Sequence, residues 1–345
     1  MGWRYKAHVG ALVEAFEYVD PFQNEQLDII TERVRELQDM GYFGDVSLDP
    51  GRARRARIDR SNPATARLID WVDGVGAWLD LIPTAAALDL CYNPVGDKLP
   101  NGAQITFPMS TWACNLADTV GIRSRAAASQ RLAVSHAIEG CAQQRWLSLA
   151  CGAAHPVIDA LAKVRETGGT IPRLDLVDLD GSALALARGY ADAADLSGHV
   201  ATHRMNILNR AGVAPLGLIH RLVRPLRRSY DLVEAIGLLE YLKIEDWHYA
   251  YNKVVRTRTV MAGARTFLRN AWALVKPGGL LIVGNMLDSH PQLGFTLNVL
   301  QWPHIQPRSV SEIMSLLDEA NVDGERQVLL PGDGVYAIYA VRKPS

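Results

Sequence analysis

The sequence predicts an α/β fold: a doubly wound, mostly parallel seven-stranded sheet with an antiparallel last strand, plus an N-terminal helical cap. The main observation is that short apolar runs alternate with amphipathic stretches from Arg145 onward, a pattern typical of a sheet covered by helices on both faces. The second is the closing segment, where a Gly-Asp-Gly turn at 332–334 joins two β-like runs. This turn indicates a hairpin.

Composition restricts the class of protein. At 345 residues and 48% hydrophobic, the chain can bury a large core. Lysine and arginine number 36 against 37 acids, so overall charge favours neither nucleic acid nor an anionic membrane, and a small-molecule partner is expected. The four cysteines are Cys91, Cys114, Cys141 and Cys151. Their wide spacing predicts no disulfide framework and no metal site.

The location expected from these features is the cytoplasm. A reducing compartment fits the cysteine pattern. The first twenty residues contain acids and no long apolar core, and no apolar run of about 18 residues occurs elsewhere. We therefore expect a soluble protein that is not exported.

Residues 1–120 have a mainly helical pattern. An apolar stripe begins at Leu27, with Asn24 as its candidate cap and Gly41 as its candidate end, and a second helix is expected over 64–81. Between these stretches lies a basic run of Arg52, Arg54, Arg55, Arg57 and Arg60. A solvated face is the simpler interpretation of that run, and we assign it no function.

The remaining elements follow in order. Residues 91–122 read as loop-rich, and a helix over 123–140 leads into the first strand, so a domain boundary is expected between residues 120 and 121. We expect strands at 146–150, 174–178, 199–205, 230–236, 280–285, 327–330 and 335–341, and helices at 156–166, 181–193, 258–275 and 309–319.

The segment Leu147–Pro156 is the first candidate site. A strand enters a turn of small residues, Ala150–Ala154, and a helix follows Pro156. Small residues let the main chain approach a ligand, and a helix N-terminus presents free N–H groups. This arrangement predicts a ligand held by main chain.

Asp178 is the second candidate. It ends the second strand of the alternating region, 26 residues after Gly152. A carboxylate at that point is placed to accept hydrogen bonds from ribose hydroxyls of a nucleoside cofactor. The alternative is an ordinary acid at a helix start, although Asp180 suits that position better.

Four segments resemble class I S-adenosylmethionine-dependent methyltransferases: LSLACGAA, LVDLD, YDLVEAIGLLEYL and LVKPGGLLIVGNM, of which the turn Lys276–Gly279 is the most recognisable. Within that superfamily they look most similar to bacterial enzymes that make 3-hydroxy fatty acid methyl esters. The usual loop of the family, acid-x-Gly-x-Gly-x-Gly, is altered here, since it begins at Ser148 and retains Gly152 alone. The resemblance implies that 121–345 form a Rossmann-like cofactor-binding catalytic domain under a cap of residues 1–120.

The resemblance also implies a cofactor site. Its members would be Arg125, Ser148, Ala150, Cys151, Gly152, Asp178, Asn206 and Ala235. The small residues would lie against the methionine part and ribose of S-adenosylmethionine, and Asn206 would accept from the adenine amino group. Either Arg123 or Arg125 would pair with the cofactor carboxylate. A surface-turn asparagine and a helix-surface arginine remain the alternatives.

Catalytic candidates follow the fourth strand and the fifth. Glu240 is a candidate base for an acceptor that arrives protonated, although a solvated glutamate is the alternative. Tyr241 is an aromatic candidate to stabilise the sulfonium, and His304 is a candidate base or substrate partner. Other aromatic candidates are Trp302, Trp112 and Tyr92. Core or lid packing is the competing explanation for each.

The expected function is methyl transfer from S-adenosylmethionine to a small-molecule carboxylate, hydroxyl or amine, with alignment supplying much of the rate. A first alternative is attack at the carbon γ to the cofactor carboxylate, as in azetidine-2-carboxylate synthases or aminocarboxypropyl transferases. That reaction would release methylthioadenosine, whereas methyl transfer releases S-adenosylhomocysteine. A second alternative is a non-catalytic regulator that binds the same cofactor.

Overall fold

The computed structural model describes residues 11–40, 58–140, 143–208, 230–250, 258–303 and 305–345. Its strands are β1 (Ala11–Phe16), β2 (Arg145–Leu149), β3 (Arg173–Asp178), β4 (Val200–Arg204), β5 (Tyr230–Ala235), β6 (Trp247–Ala250), β7 (Arg258–Met261), β8 (Val275–Met286), β9 (Glu325–Pro331) and β10 (Tyr336–Arg342). Eight of them form one sheet in the order β1-β9-β10-β8-β5-β2-β3-β4, and β6 and β7 form a separate hairpin.

Seven strands of the large sheet run in one direction. The exception is β10, which is antiparallel to both of its neighbours, β8 and β9. The α/β fold class, with its mostly parallel sheet and antiparallel last strand, is therefore confirmed. Because parallel strands end at the same edge, the segments that follow β2, β3 and β5 are brought together there.

The expected number of strands in the sheet, seven, is wrong by one. The additional strand, β1, pairs in parallel with β9 at the edge of the sheet. Its six residues carry no clear alternation, since the five before Phe16 are all half-buried or exposed. A run this short cannot be distinguished from helix by periodicity, and pairing with β9 decides its conformation.

The helices are α1 (Leu27–Met40), α2 (Pro63–Trp71), α3 (Val75–Leu79), α4 (Ala85–Tyr92), α5 (Phe107–Asn115), α6 (Ala117–Glu139), α7 (His155–Glu166), α8 (Gly181–Ala193), α9 (Ala264–Leu274) and α10 (Val310–Glu319). At the start of α1 the Asn24 side chain accepts the N–H of Gln26 at 3.1 Å, as expected of a residue that begins a helix. Gly41 and Arg52 to Arg57 lie outside the described residues, and Arg60 forms an exposed ion pair with Asp80.

Four expected elements differ in the structure. The helical stretch expected over 64–81 is divided into α2 and α3, with Gly74 at a φ of 84° immediately before α3. The loop predicted over 91–122 contains all of α5, whose Thr106 cap and early Pro108 are helix-start features that read as loop formers in sequence. The helix predicted over 258–275 begins as β7, which the pairing with β6 stabilises, before α9 starts. The predicted turn Lys276–Gly279 is part of β8, at an irregularity in its register with β5.

Helix α6 is the long connection between the cap and the sheet. It runs through the boundary predicted between residues 120 and 121, so that division stays a prediction. Gly121 faces the β9–β10 turn so closely that an added Cβ would lie 2.5 Å from the Cβ of Val335. The absence of a side chain at this position lets α6 pack against the hairpin.

Three apolar cores hold the structure together. Two of them cover opposite faces of the sheet. The third core is that of the cap, where helices α1 through α5 pack against residues 286–305. This segment follows β8 and includes Phe295 and Trp302. The cap is therefore built from two distant parts of the chain. Within the described ranges, every helix is too short or too polar to cross a bilayer.

Candidate functional site

The loop after β2 has an unusual backbone. Ala150, Gly152 and Ala154 have φ values of 51°, 55° and 59°. An L-residue in this left-handed region costs about 1–2 kcal/mol, and two of the three residues are alanines. Strained backbone of this kind is often found at ligand sites, where surrounding structure maintains it.

Hydrogen bonds from β3 maintain this loop. The N–H of Gly152 donates to Oδ2 of Asp178 at 2.8 Å, and the N–H of Cys151 donates to the carbonyl of Val177 at 3.2 Å. The other oxygen of Asp178 accepts the N–H of Asp180 at 2.8 Å. An ionised carboxylate has about four acceptor positions, so Asp178 can bind further donors while it holds the loop.

A first cavity, of about 490 Å³ and partly open to solvent, lies over this loop. It is lined by Ala85, Leu88, Tyr92, Arg125, Ser148, Ala150, Cys151, Gly152, Ala153, Ala154, His155, Pro156, Val157, Glu234, Ile236 and Gly237. Helix α7 begins here without a side-chain cap, so no capping side chain competes with a ligand for its first N–H groups. Burial raises the pKa of the Cys151 thiol, which keeps it protonated near neutral pH.

Glu234 supplies a buried carboxyl group to the first cavity. It is paired across the sheet with Ser148, whose hydroxyl donates to Oε2, and the N–H of Ile236 donates to Oε1 at 3.2 Å. Burial raises the pKa of Glu234, against the effect of these donors and of Arg125. The register that joins Glu234 to Ser148 is a tertiary feature and cannot be read from the sequence.

Arg125 lies between two cavities. Its Nη1 is 3.1 Å from Oε1 of Glu240, and its guanidinium stacks on the Tyr336 ring at 4.4 Å from the centroid. Both charged side chains are almost fully buried. Nε of Arg125 and Oε2 of Glu240 have no hydrogen-bond partner among the described residues, and buried polar atoms left in this state are costly unless a ligand or water satisfies them.

Arg123, the other arginine considered for the same position, has a structural function. It donates to Asp20 at 2.7 Å and to the carbonyls of Cys91, Ala113 and Cys114. These contacts join the segment after β1 to the ends of α4 and α5. Arg125 is therefore the arginine that faces the cavity.

A second cavity, of about 430 Å³ including space open to solvent, lies under the cap. Its walls are mainly apolar, and they include Trp78, Leu88, Cys91, Leu116, Ile122, Met286, Leu300, Trp302, Ile305 and Tyr336, with polar groups from Asp118, Thr119, Arg125, Tyr241 and Thr296. Leu88 and Arg125 line both cavities. The two spaces therefore adjoin at these side chains.

The structure brings together most of the predicted cofactor residues. Arg125, Ser148, Ala150, Cys151 and Gly152 line the first cavity, and Asp178 is bonded to its loop.

Two predicted cofactor residues are placed elsewhere. The side chain of Ala235 packs into the core on the other face of β5, because neighbouring side chains alternate along a strand. Asn206 accepts the N–H of Leu208 at 3.0 Å in a local turn and does not line the cavity.

The catalytic candidates are separated. Glu240 is paired with Arg125, and Tyr241 lines the second cavity, where its hydroxyl accepts the indole N–H of Trp302 at 2.7 Å. His304 lies outside the described residues. Among the aromatic candidates, Tyr92 lines the first cavity and Trp112 stacks on Phe295 in the cap core. Within the described ranges, no group of three acidic, histidine or cysteine side chains is arranged to hold a metal ion.

Comparison with known proteins supports the fold. No family model and no curated protein sequence matches the chain. A possible exported protein from Bordetella parapertussis aligns over 93% of this chain and 96% of its own, with 16% identity and a TM-score of 0.57. The S-adenosylmethionine-dependent methyltransferase SibL covers 93% of this chain and 76% of its own at 16% identity, with a TM-score of 0.46.

An O-methyltransferase family protein from Burkholderia thailandensis covers 66% of this chain and 60% of its own at 19% identity, with a TM-score of 0.43. The likeness to the Bordetella protein spans cap and sheet together. It shows that the two chains share a fold, and the strand order with the antiparallel β10 gives the mostly parallel α/β sheet that the sequence predicted.

Proposed function

We propose that this protein transfers the methyl group of S-adenosylmethionine to a small-molecule acceptor. The observation that carries the proposal is the pair of cavities that adjoin at Arg125 and Leu88. One is bordered by the strained loop and the start of α7, and the other is apolar and covered by the cap. Such an arrangement can hold two molecules with their reacting atoms close together, which supplies much of the effect in methyl transfer.

The residues of the first cavity fit S-adenosylmethionine, which supplies a methyl group on a positively charged sulfur when bound. The free acceptor positions of Asp178 suit ribose hydroxyls. The unpartnered Nε of Arg125 suits the carboxylate of the methionine part. The buried carboxyl of Glu234 suits a positive charge, because a cation next to it would offset the cost of ionisation in this position.

Glu240 acts here as a positioning residue. One of its oxygens holds Arg125, and burial raises its pKa while Arg125 opposes that rise. A base is required only where the acceptor arrives protonated, so alignment and exclusion of water by the cap are the main contributions of the protein.

The second cavity favours methyl transfer over attack at the γ carbon of the cofactor. Cyclisation of the cofactor's own amino acid needs no space for a second molecule. Here a second, mainly apolar cavity adjoins the cofactor cavity, with aromatic walls from Trp78, Trp302 and Tyr336. We therefore place the acceptor under the cap.

The deciding experiment is to incubate the protein with S-adenosylmethionine and a metabolite extract and to identify the nucleoside product by mass spectrometry. S-adenosylhomocysteine is the expected product. Asp178→Ala should abolish its formation, because that change removes a ribose acceptor and releases the N–H of Gly152.

The matched control is Asp180→Ala. It removes the cap of α8, at a cost of about 1 kcal/mol, without touching the loop. Accumulation of methylthioadenosine would show that the reaction is attack at the γ carbon and not methyl transfer. If neither nucleoside accumulated and calorimetry detected no heat of cofactor binding, the proposal would be refuted.

Binding of S-adenosylmethionine should weaken in acid. The pKa of Glu234 is raised by burial, so its protonated form is populated at a higher pH than for an ordinary glutamate. A bound cation favours the carboxylate, so binding should release a proton, and affinity should fall by up to about tenfold per pH unit below that pKa. Calorimetry in two buffers of different ionisation enthalpy measures this proton. Glu234→Gln should remove the pH dependence, and an unchanged dependence in that variant would assign it to another group.

A further inference from the structure

A polar cluster lies in the otherwise apolar second cavity. Asp118, in the first turn of α6, and Thr296, in the segment after β8, both line this cavity. The hydroxyl of Thr296 donates to Oδ2 of Asp118, and Oδ1 of Asp118 is 3.0 Å from Nε2 of His290. All three residues are buried. None of them was singled out from the sequence, because Asp118 on α6 meets His290 and Thr296, in the segment after β8, only in the folded structure.

The hydrogen bonds show that His290 is neutral. Its Nδ1 accepts the N–H of Gln292 at 2.9 Å and so carries no proton. The single ring proton must then be on Nε2, which donates it to Asp118. Both donors to Asp118, an imidazole and a hydroxyl, are therefore uncharged.

The nearby cations are already paired. Arg123 is 2.7 Å from Asp20 and points away from the cavity toward the ends of α4 and α5. Arg125, the one cation among the described residues that line the cavity, is paired with Glu240. Among the described residues, the hydrogen-bond donors to the Asp118 carboxyl are therefore the His290 imidazole and the Thr296 hydroxyl. A buried carboxylate in that condition gains from a cationic partner.

The position of Asp118 along α6 gives the acceptor a direction. Arg125 marks the junction with the first cavity, where the methyl group would arrive. Asp118 is seven residues earlier on the same face of the helix, so their Cα atoms are about 10 Å apart. Ile122 lies between them and gives this wall an apolar centre. Asp118 is therefore at the end of the cavity remote from the reacting atoms.

We propose that the second cavity binds an acceptor with an apolar, ring-sized body and a protonated amine at the end remote from the methylated atom, and that Asp118 binds this amine. Only the direction of the acceptor in the cavity rests on the proposed function. The oxygens of Asp118 each accept one hydrogen bond from the protein, and the remaining acceptor positions are available to an ammonium group. Asp118 is thus the residue that selects an amine among acceptors of similar size.

The test uses four phenols that share a ring and differ at the other end: tyramine with an ammonium group, tyrosol with a hydroxyl, 4-ethylphenol with neither, and 3-(4-hydroxyphenyl)propionate with a carboxylate. Trp78 and Trp302 line the cavity, so binding without cofactor is followed by quenching of tryptophan fluorescence. Tyramine should bind at least about tenfold more tightly than 4-ethylphenol, and the carboxylate should bind most weakly.

Asp118→Asn should remove the preference for tyramine and leave the affinity for 4-ethylphenol unchanged within about twofold, since the amide keeps the shape and loses the charge. Thermal unfolding shows whether the variant folds. If it does not, the order of the four affinities measured on the unmodified protein still tests the inference. Equal affinity for the four, or no quenching at millimolar concentration, would overturn the inference. Because cofactor is absent, this result is independent of whether S-adenosylmethionine binds.

Discussion

Arg125→Met is expected to lower the free energy of unfolding by about 3–5 kcal/mol, because it leaves the carboxylate of Glu240 buried without its partner. The same change should abolish calorimetric binding of S-adenosylmethionine. In our proposal the unpartnered Nε of Arg125 is the donor to the cofactor carboxylate, and methionine has a similar volume but no donor. Denaturant unfolding followed by circular dichroism measures the first effect.

The double variant Arg125→Met/Glu240→Gln separates the two effects. Once both charges are removed, no uncompensated charge stays buried, so most of the lost stability should return. Binding should not return, since the donor is still missing. If the double variant bound the cofactor as tightly as the native protein, Arg125 would contribute to folding alone. If the single variant were as stable as the native protein, the ion pair would have no net effect on stability.

Gly152→Val is expected to eliminate cofactor binding and to leave the fold intact. Gly152 has a positive φ, and an added Cβ meets only the Cβ of Ala85, at 3.4 Å. The protein can therefore accommodate the side chain, but the valine methyl groups would occupy the cavity between the loop and α4. Each 1.4 kcal/mol of lost binding free energy weakens binding about tenfold. Calorimetry should detect a weakening of at least that size.

Gly168→Val is the matched control, because Gly168 also has a positive φ and has no neighbour within 4 Å of an added Cβ. It follows α7 and does not line the first cavity. Both variants should lose a similar amount of stability, about 1–2 kcal/mol, from backbone strain. Equal loss of binding in the two would mean that strain, and not the shape of the loop, weakens the site.

Local signals in the sequence predicted much of the sheet and one border of the site. The small residues 150–154 could be recognised because small side chains allow a tight turn, and Asp178 because it ends a run of strand-forming residues. The final hairpin was predictable from its glycines for the same reason: Gly334 has φ of 71°, and the side chain of Asp333 accepts the N–H of Val335 within the turn. These features depend on residues adjacent in the chain.

Other expectations were wrong where residues distant in the chain determine the conformation or the direction of a side chain. β1 is a strand because β9 offers an edge to pair with. Ala235 faces away from the cavity because of the register of β5, and Glu234 faces into it for the same reason. Nothing in the immediate sequence of either residue distinguishes the two sides of a strand that is buried on both.

The amino-acid sequence by itself determined the alternation of strands and helices, the turn of small residues after β2 and the carboxylate at the end of β3, since each can be recognised from a few neighbouring residues. Tertiary structure alone decided which polar side chains face one another: Arg125 with Glu240, Ser148 with Glu234, and Asp118 with His290. The partners in these pairs are separated by 86 to 172 residues in the chain. Only the packing of cap, α6 and sheet brings them within hydrogen-bond distance, where burial strengthens their interactions.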